Sequence, residues 1–121
     1  MAELFTTFAR TRFVNREAVV EAIRQRAVAF CAWNPQAHRI FLIGSFATRT
    51  ATPRSDLDLV VEVSPVLSRE ARFRLWEQAY DWFTVLPFVV DLFVLDSAQL
   101  QSHSGLAGVV QREGICLTAT Q

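Results

Sequence analysis

The stretch "LIGSFATRTATPRSDLDLVVEV", Leu42 to Val63, closes one apolar run on a Gly-Ser pair and opens the next on two aspartates. His38 to Ile43 reads as a short buried strand, because Ile40, Phe41, Leu42 and Ile43 are bulky or β-branched and Gly44 stops them. A loop or one-turn helix follows through Ala51, with Pro53 as a breaker. Asp56 to Val63 is predicted as a second strand. Side chains alternate across a strand, so Leu57, Leu59, Val61 and Val63 share one face, and Asp56, Asp58, Val60 and Glu62 the other.

Working outward, Asn15 is a plausible N-cap for a helix that ends near Asn34-Pro35, with Val19, Val20, Ile23, Ala27 and Phe30 recurring at helical steps. Ser68 caps a second long helix through Phe83, whose apolar positions Phe73, Trp76, Tyr80 and Phe83 are expected to face the core. Phe88 to Leu95 is a third strand, Gly105 to Arg112 a last helical turn or two, and Ile115 to Leu117 a short apolar piece. The first dozen residues read either as a short helix or as a loosely packed arm. This order implies an α+β fold, a small mixed β-sheet with helices packed on it, in one domain over residues 1–121.

The 121 residues include twelve cationic and twelve acidic side chains, and 51% are hydrophobic. Neutrality argues against a chain that coats nucleic acid or an anionic membrane through net charge. All the cations are arginine, which excludes a P-loop lysine and a covalent nucleotidyl-lysine. Cys31 and Cys116 are too few for a metal cluster or disulfide framework and read as reduced core thiols. The apolar piece Trp82 to Val90 is broken by Pro87 and closed by Asp91, so no membrane span is expected and the cytoplasm is the default location.

Two aspartates at i and i+2 on a strand point the same way, with Cα atoms about 6–7 Å apart. Burying such charges side by side costs several kcal/mol unless something positive sits between them, and magnesium held by oxygens meets that need. Asp91 interrupts an otherwise apolar strand and would complete a two-metal site; alone it reads equally as an edge-strand charge facing solvent. Gly44 lets backbone N–H groups approach a phosphate and Ser45 offers a hydroxyl. With each residue type near about one in twenty, all four positions match by chance on the order of once in a thousand such chains.

Gly44-Ser45, ten intervening residues, Asp56-Leu57-Asp58 and then the lone strand aspartate Asp91 together resemble the minimal nucleotidyltransferase family of the DNA polymerase β-like superfamily. The resemblance implies the polymerase β-like palm fold, two magnesium ions held by Asp56, Asp58 and Asp91, and Asp91 favouring deprotonation of the acceptor hydroxyl. It implies that Gly44 and Ser45 hold nucleotide phosphates and that AMP is transferred from ATP with release of pyrophosphate. Members often carry Ala-Arg-Gly after Gly-Ser-x, whereas this chain has Ala47-Thr48-Arg49. Arg49 either reaches the triphosphate or narrows the pocket.

Larger nucleotidyltransferases hold the acceptor on an added helical domain, so here the acceptor is expected from another chain, in a homo- or hetero-oligomer. Stand-alone members pair with HEPN toxins as antitoxins, attaching AMP to a toxin tyrosine. The alternatives are a non-catalytic antitoxin that works by binding and a small-molecule (aminoglycoside-type) nucleotidyltransferase. A DxD glycosyltransferase lacks room and leaves Gly44-Ser45 unexplained. His38, His103 and Glu62 are not expected as ligands, and Arg69 to Arg74 reads as a solvated face.

Overall fold

A computed structural model describes residues 3–119. The chain begins with a hairpin of β1 (Phe5–Phe8) and β2 (Thr11–Val14), then runs α1 (Arg16–Trp33), β3 (Arg39–Ile43), the single turn α2 (Ser45–Thr48) and β4 (Leu57–Val63). It continues through α3 (Arg69–Phe83), β5 (Val90–Asp96), a 3₁₀ turn at Gln99–Gln101, α4 (Gly105–Glu113) and β6 (Ile115–Cys116). Four strands form one sheet in the order β5-β4-β3-β6, with β4 and β5 parallel and the other two pairings antiparallel. The mixed sheet and α+β class match the reading of the sequence.

Asn15 caps α1 as expected, its Oδ1 accepting the Ala18 N–H at 3.2 Å, and Ser68 Oγ accepts the Ala71 N–H at 3.1 Å to start α3. Both helices lie on one sheet face. Val19, Ile23, Ala27 and Phe30 of α1 and Leu75, Ala79 and Phe83 of α3 pack there against Ile40, Leu42, Leu57, Leu59, Val61, Val90 and Leu92. The opposite face is covered only in part, where Leu100, Ala107 and Val110 meet Phe41, Ile43 and Val60. The 3₁₀ turn and α4 leave one end of that face open.

Two readings need correction. On α3 the buried stripe is Ala71, Leu75, Ala79 and Phe83, while Phe73 and Tyr80 are exposed and stack on either side of half-buried Trp76, whose indole N–H donates to Leu92 O at 2.8 Å. Small alanines let the helix approach the sheet closely, and the bulkier aromatic row rotates toward the outer edge of β5. Arg72 is no solvated side chain, since its Nη2 reaches Asp96 Oδ2 at 3.1 Å and its Nε donates to Leu67 O at 2.9 Å.

The N-terminal segment, open between helix and arm, is an antiparallel hairpin. Its two-residue turn places Ala9 at φ 50° and Arg10 at φ 69°, the conformation for which Gly or Asn is the usual sign. The Phe5 ring packs on Phe88 at 5.5 Å and Asn15 N–H donates to Leu4 O at 2.7 Å, which fastens the hairpin to the body.

Glu62 and Asp96 are buried acids with cationic partners. Arg39 grips Glu62 with two nitrogens, Nη2 to Oε2 at 3.0 Å, and the Gln99 N–H donates to Asp96 Oδ1 at 2.7 Å. The Arg39 hydrogen bond holds the Glu62 carboxyl below its usual range, and the Gln99 backbone N–H does the same for Asp96. Depressed carboxyls contribute stability above their unfolded pKa of about 4 and lose it as pH falls through the folded value. The denaturant midpoint is therefore expected to drop from about pH 5 toward about pH 3, and Glu62→Gln to flatten that slope.

Candidate active site

The register of the sheet decides which carboxylates meet. Ile43, the last residue of β3, pairs with Asp58, and Asp58 pairs in turn with Asp91 on the parallel neighbour. The end of β3 and the starts of β4 and β5 thus coincide, with Gly44-Ser45 and Asp56 at the same end. Leu57 and Leu59 point into the core while Asp58 stands on the open face, as alternation requires. The strand begins at Leu57, so Asp56 precedes it as an exposed residue rather than lying within it.

Asp58 is the centre of the cluster. Its carboxyl is pushed up to about 6, first by burial, then by hydrogen bonding and charge from Asp91, and further by Asp56 and Glu113. Gly44 adopts φ 76° and ψ −156°, and a Cβ built there would overlap the Asp58 Oδ2. Gly44 is therefore required both by its backbone and by the carboxylate pressed against it. Ser45 opens α2, half-buried, and among the described residues its hydroxyl has no hydrogen-bond partner.

Arg49 follows α2 in the left-handed conformation, φ 66°, with a side chain 72% exposed and Nη1 at 3.6 Å from Glu17 on α1. This is a helix-ending position that favours glycine, the residue type the family pattern places after Ala-Arg. Arg49 thus joins the phosphate loop by sequence and leans on α1 by side chain. Glu62 is held by Arg39, and His103 Nδ1 lies 2.8 Å from Gln111 Oε1. Cys31 and Cys116 are free thiols against the two cores.

Sequence reasoning missed Glu113. It ends α4 and its Oε1 accepts the Gly44 N–H at 3.2 Å. Leu42 pairs with Ile115, so two further residues along the same register set Gly44 opposite Glu113, where a side chain replaces the next ladder bond. Only the pairing of β6 with β3 could have revealed it.

Among the described residues no three His, Cys, Asp or Glu side chains are close enough to hold a metal ion as they stand. The donor set nevertheless suits magnesium, which takes oxygen ligands and usually keeps several waters and substrate oxygens beside one or two carboxylates. Asp56 and Asp91 are exposed, and the Asp58 carboxyl, raised first by burial and then by Asp91, Asp56 and Glu113, stands among like charges. A raised carboxyl contributes stability below its unfolded pKa of about 3.9 and loses it as pH rises through the folded value. In chelator at pH 7.5, Asp58→Asn is expected to raise the melting temperature by roughly 3–5 °C, about 1 kcal/mol after allowance for solvent screening. At about pH 4 the gain should vanish.

Residues 25–120 match the family described as polymerase beta, nucleotidyltransferase, and the chain belongs to that family. No curated protein sequence matches it. Among solved structures it resembles a chain of a toxin-antitoxin complex crystallised with AMP-PNP, at 27% identity and TM-score 0.55 over 81% of this chain and 74% of that one. It shares its fold with a Sulfolobus solfataricus protein assigned as a nucleotidyltransferase, at 14% identity and TM-score 0.58 over 84% and 80%. A further likeness is to a complex of tri-AMPylated Shewanella oneidensis HEPN toxin with MNT antitoxin, at 24% identity and TM-score 0.51 over 87% and 73%. Among the described residues no helix is long and apolar enough to cross a membrane.

Proposed function

We propose that the chain is a magnesium-dependent protein adenylyltransferase and antitoxin, moving AMP from ATP to a tyrosine of a HEPN toxin. The observation that carries this reading is the rung joining Asp58 to Asp91, with Asp56 and Gly44 at the same sheet end. Family membership supports nucleotidyl transfer, and the likeness to a toxin-antitoxin chain crystallised with AMP-PNP supports an adenine nucleotide and a toxin partner. The fold-level likeness to a complex of MNT antitoxin with tri-AMPylated HEPN toxin supports a HEPN protein as the acceptor.

Two magnesium ions held by Asp56, Asp58 and Asp91 would neutralise the triphosphate and the charge that develops during transfer. Gly44 and Ser45 hold the phosphates, the serine through its unpaired hydroxyl. The tyrosine oxygen bonds to the α-phosphorus, the bond from that phosphorus to the bridging oxygen breaks, and pyrophosphate leaves. Asp91 takes the phenolic proton and passes it to solvent. Arg49, on leaving Glu17, adds a cation to the triphosphate.

The test is incubation with a HEPN partner, ATP and magnesium, read by mass spectrometry for AMP on tyrosine. Modification that requires magnesium is the expected result; full neutralisation of the partner without modification overturns it. The second reading, an antitoxin that works by occlusion, is favoured by one observation, the diversion of Arg49 to Glu17. Arg49→Gly separates the two. It should fold at least as well, since it relieves a left-handed non-glycine residue, and should weaken ATP binding about threefold to tenfold if Arg49 serves the triphosphate.

A further inference from the structure

The strongest feature outside the carboxylate cluster is a cleft of about 540 Å³ between the hairpin turn and the turn at 52–55, lined by Arg10, Thr11, Arg12, Thr52, Pro53 and Arg54. Its three arginines have no acidic partner among the described residues, where the ion pairs engage Arg16, Arg24, Arg39, Arg49 and Arg72 instead. Arg12 is held in place by the Phe5 ring, 3.8 Å beneath its guanidinium. Arg10 sits in a turn whose two non-glycine residues both have positive φ, a strain the fold maintains.

The pairing of Thr6 with Phe13 and of Phe8 with Thr11 sets both phenylalanines on the hairpin's outer face, 77% and 49% exposed for Phe8 and Phe13. The location is specific. The 52–55 turn runs directly into Asp56, and Phe5 packs on Phe88, two residues before β5 begins. The cleft therefore stands at the sheet end that carries the carboxylates, while the hairpin precedes the residues matched by the family.

We infer that the hairpin and its arginine cleft dock an acidic patch of the protein acceptor, an inference that rests on the proposed function. Three guanidinium groups gathered in one cleft without an acidic partner among the described residues select carboxylates through charge-assisted hydrogen bonds; Phe8 and Phe13, on the hairpin face opposite Arg12, lie outside the cleft. A nucleic acid tracking through the cleft would run its phosphates onto Asp56, Asp58, Asp91 and Glu113, whereas a short acidic patch ends before them.

The test uses fluorescence anisotropy with three probes, an oligoglutamate peptide, a short single-stranded RNA and inorganic tripolyphosphate, and magnesium-ATP binding is measured separately. The peptide should bind, weaken with added salt, and lose about tenfold in affinity in Arg10→Asn/Arg12→Gln/Arg54→Gln, while ATP binding is unchanged. Asparagine suits the left-handed turn, and Arg54→Gln alone, outside the hairpin, should give part of the loss if the triple variant misfolds. No peptide binding, equal binding by the variants, or arginine-dependent preference for RNA or tripolyphosphate overturns the inference. Failure of the wild-type chain to bind ATP counts instead against nucleotidyl transfer, so the two failures are distinguishable.

Discussion

Replacing Asp56 and Asp58 together by alanine is expected to lower AMP transfer by about a thousandfold or more while the chain still folds. The loss follows from removing carboxylates that would bind the ions able to supply several kcal/mol to the transition state. Retained folding follows from the site itself: Asp56 lies before β4, and Asp58 carries burial and repulsion rather than a cationic partner. Circular dichroism and thermal melting in chelator check the fold, and mass spectrometry of the acceptor checks transfer. A variant that transfers AMP at the wild-type rate would remove these residues from the chemistry, and one that unfolds would make them structural.

Gly44→Ala should behave in the opposite way, damaging the fold as well as the activity. Its φ of 76° with ψ of −156° belongs to a region occupied almost only by glycine, and its added Cβ would meet the Asp58 carboxylate. Backbone strain and overpacking together are expected to cost about 3 kcal/mol, a fall of roughly 10 °C in melting temperature. A second substitution, Asp58→Ala, takes away the atom in the way. The double variant should recover part of the loss, and additive effects of the two substitutions would show that glycine is needed for its backbone alone.

The parts of this fold legible in the sequence are those fixed by local pattern. Alternation through Leu57, Leu59, Val61 and Val63 showed which face of β4 bears Asp58, and Asn15 and Ser68 marked both long helices. The three aspartates and the Gly-Ser turn were legible as a constellation. What escaped depends on neighbours distant in the chain or on conformations held by packing. Ala9-Arg10 carries no turn signal, because the body rather than the turn residues enforces its positive φ. Alanines at 71 and 79 claimed the buried side of α3 through close approach, which a reading by side-chain size assigns to the aromatics. Glu113 reaches Gly44 only because β6 pairs with β3.

The parallel rung between Asp58 and Asp91 also dates the site within folding. Parallel neighbours need a crossover, here α3, so the two aspartates remain apart until the helix has docked and β5 has added to the sheet edge. This contact spans more than thirty residues and is among the slower kinds to form. A nascent chain that has not completed β5 carries its aspartates as solvated, unpaired charges with little hold on a divalent cation. Nucleotide competence would then arrive in one late step, and a divalent ion added during refolding should speed the end of the process more than its beginning.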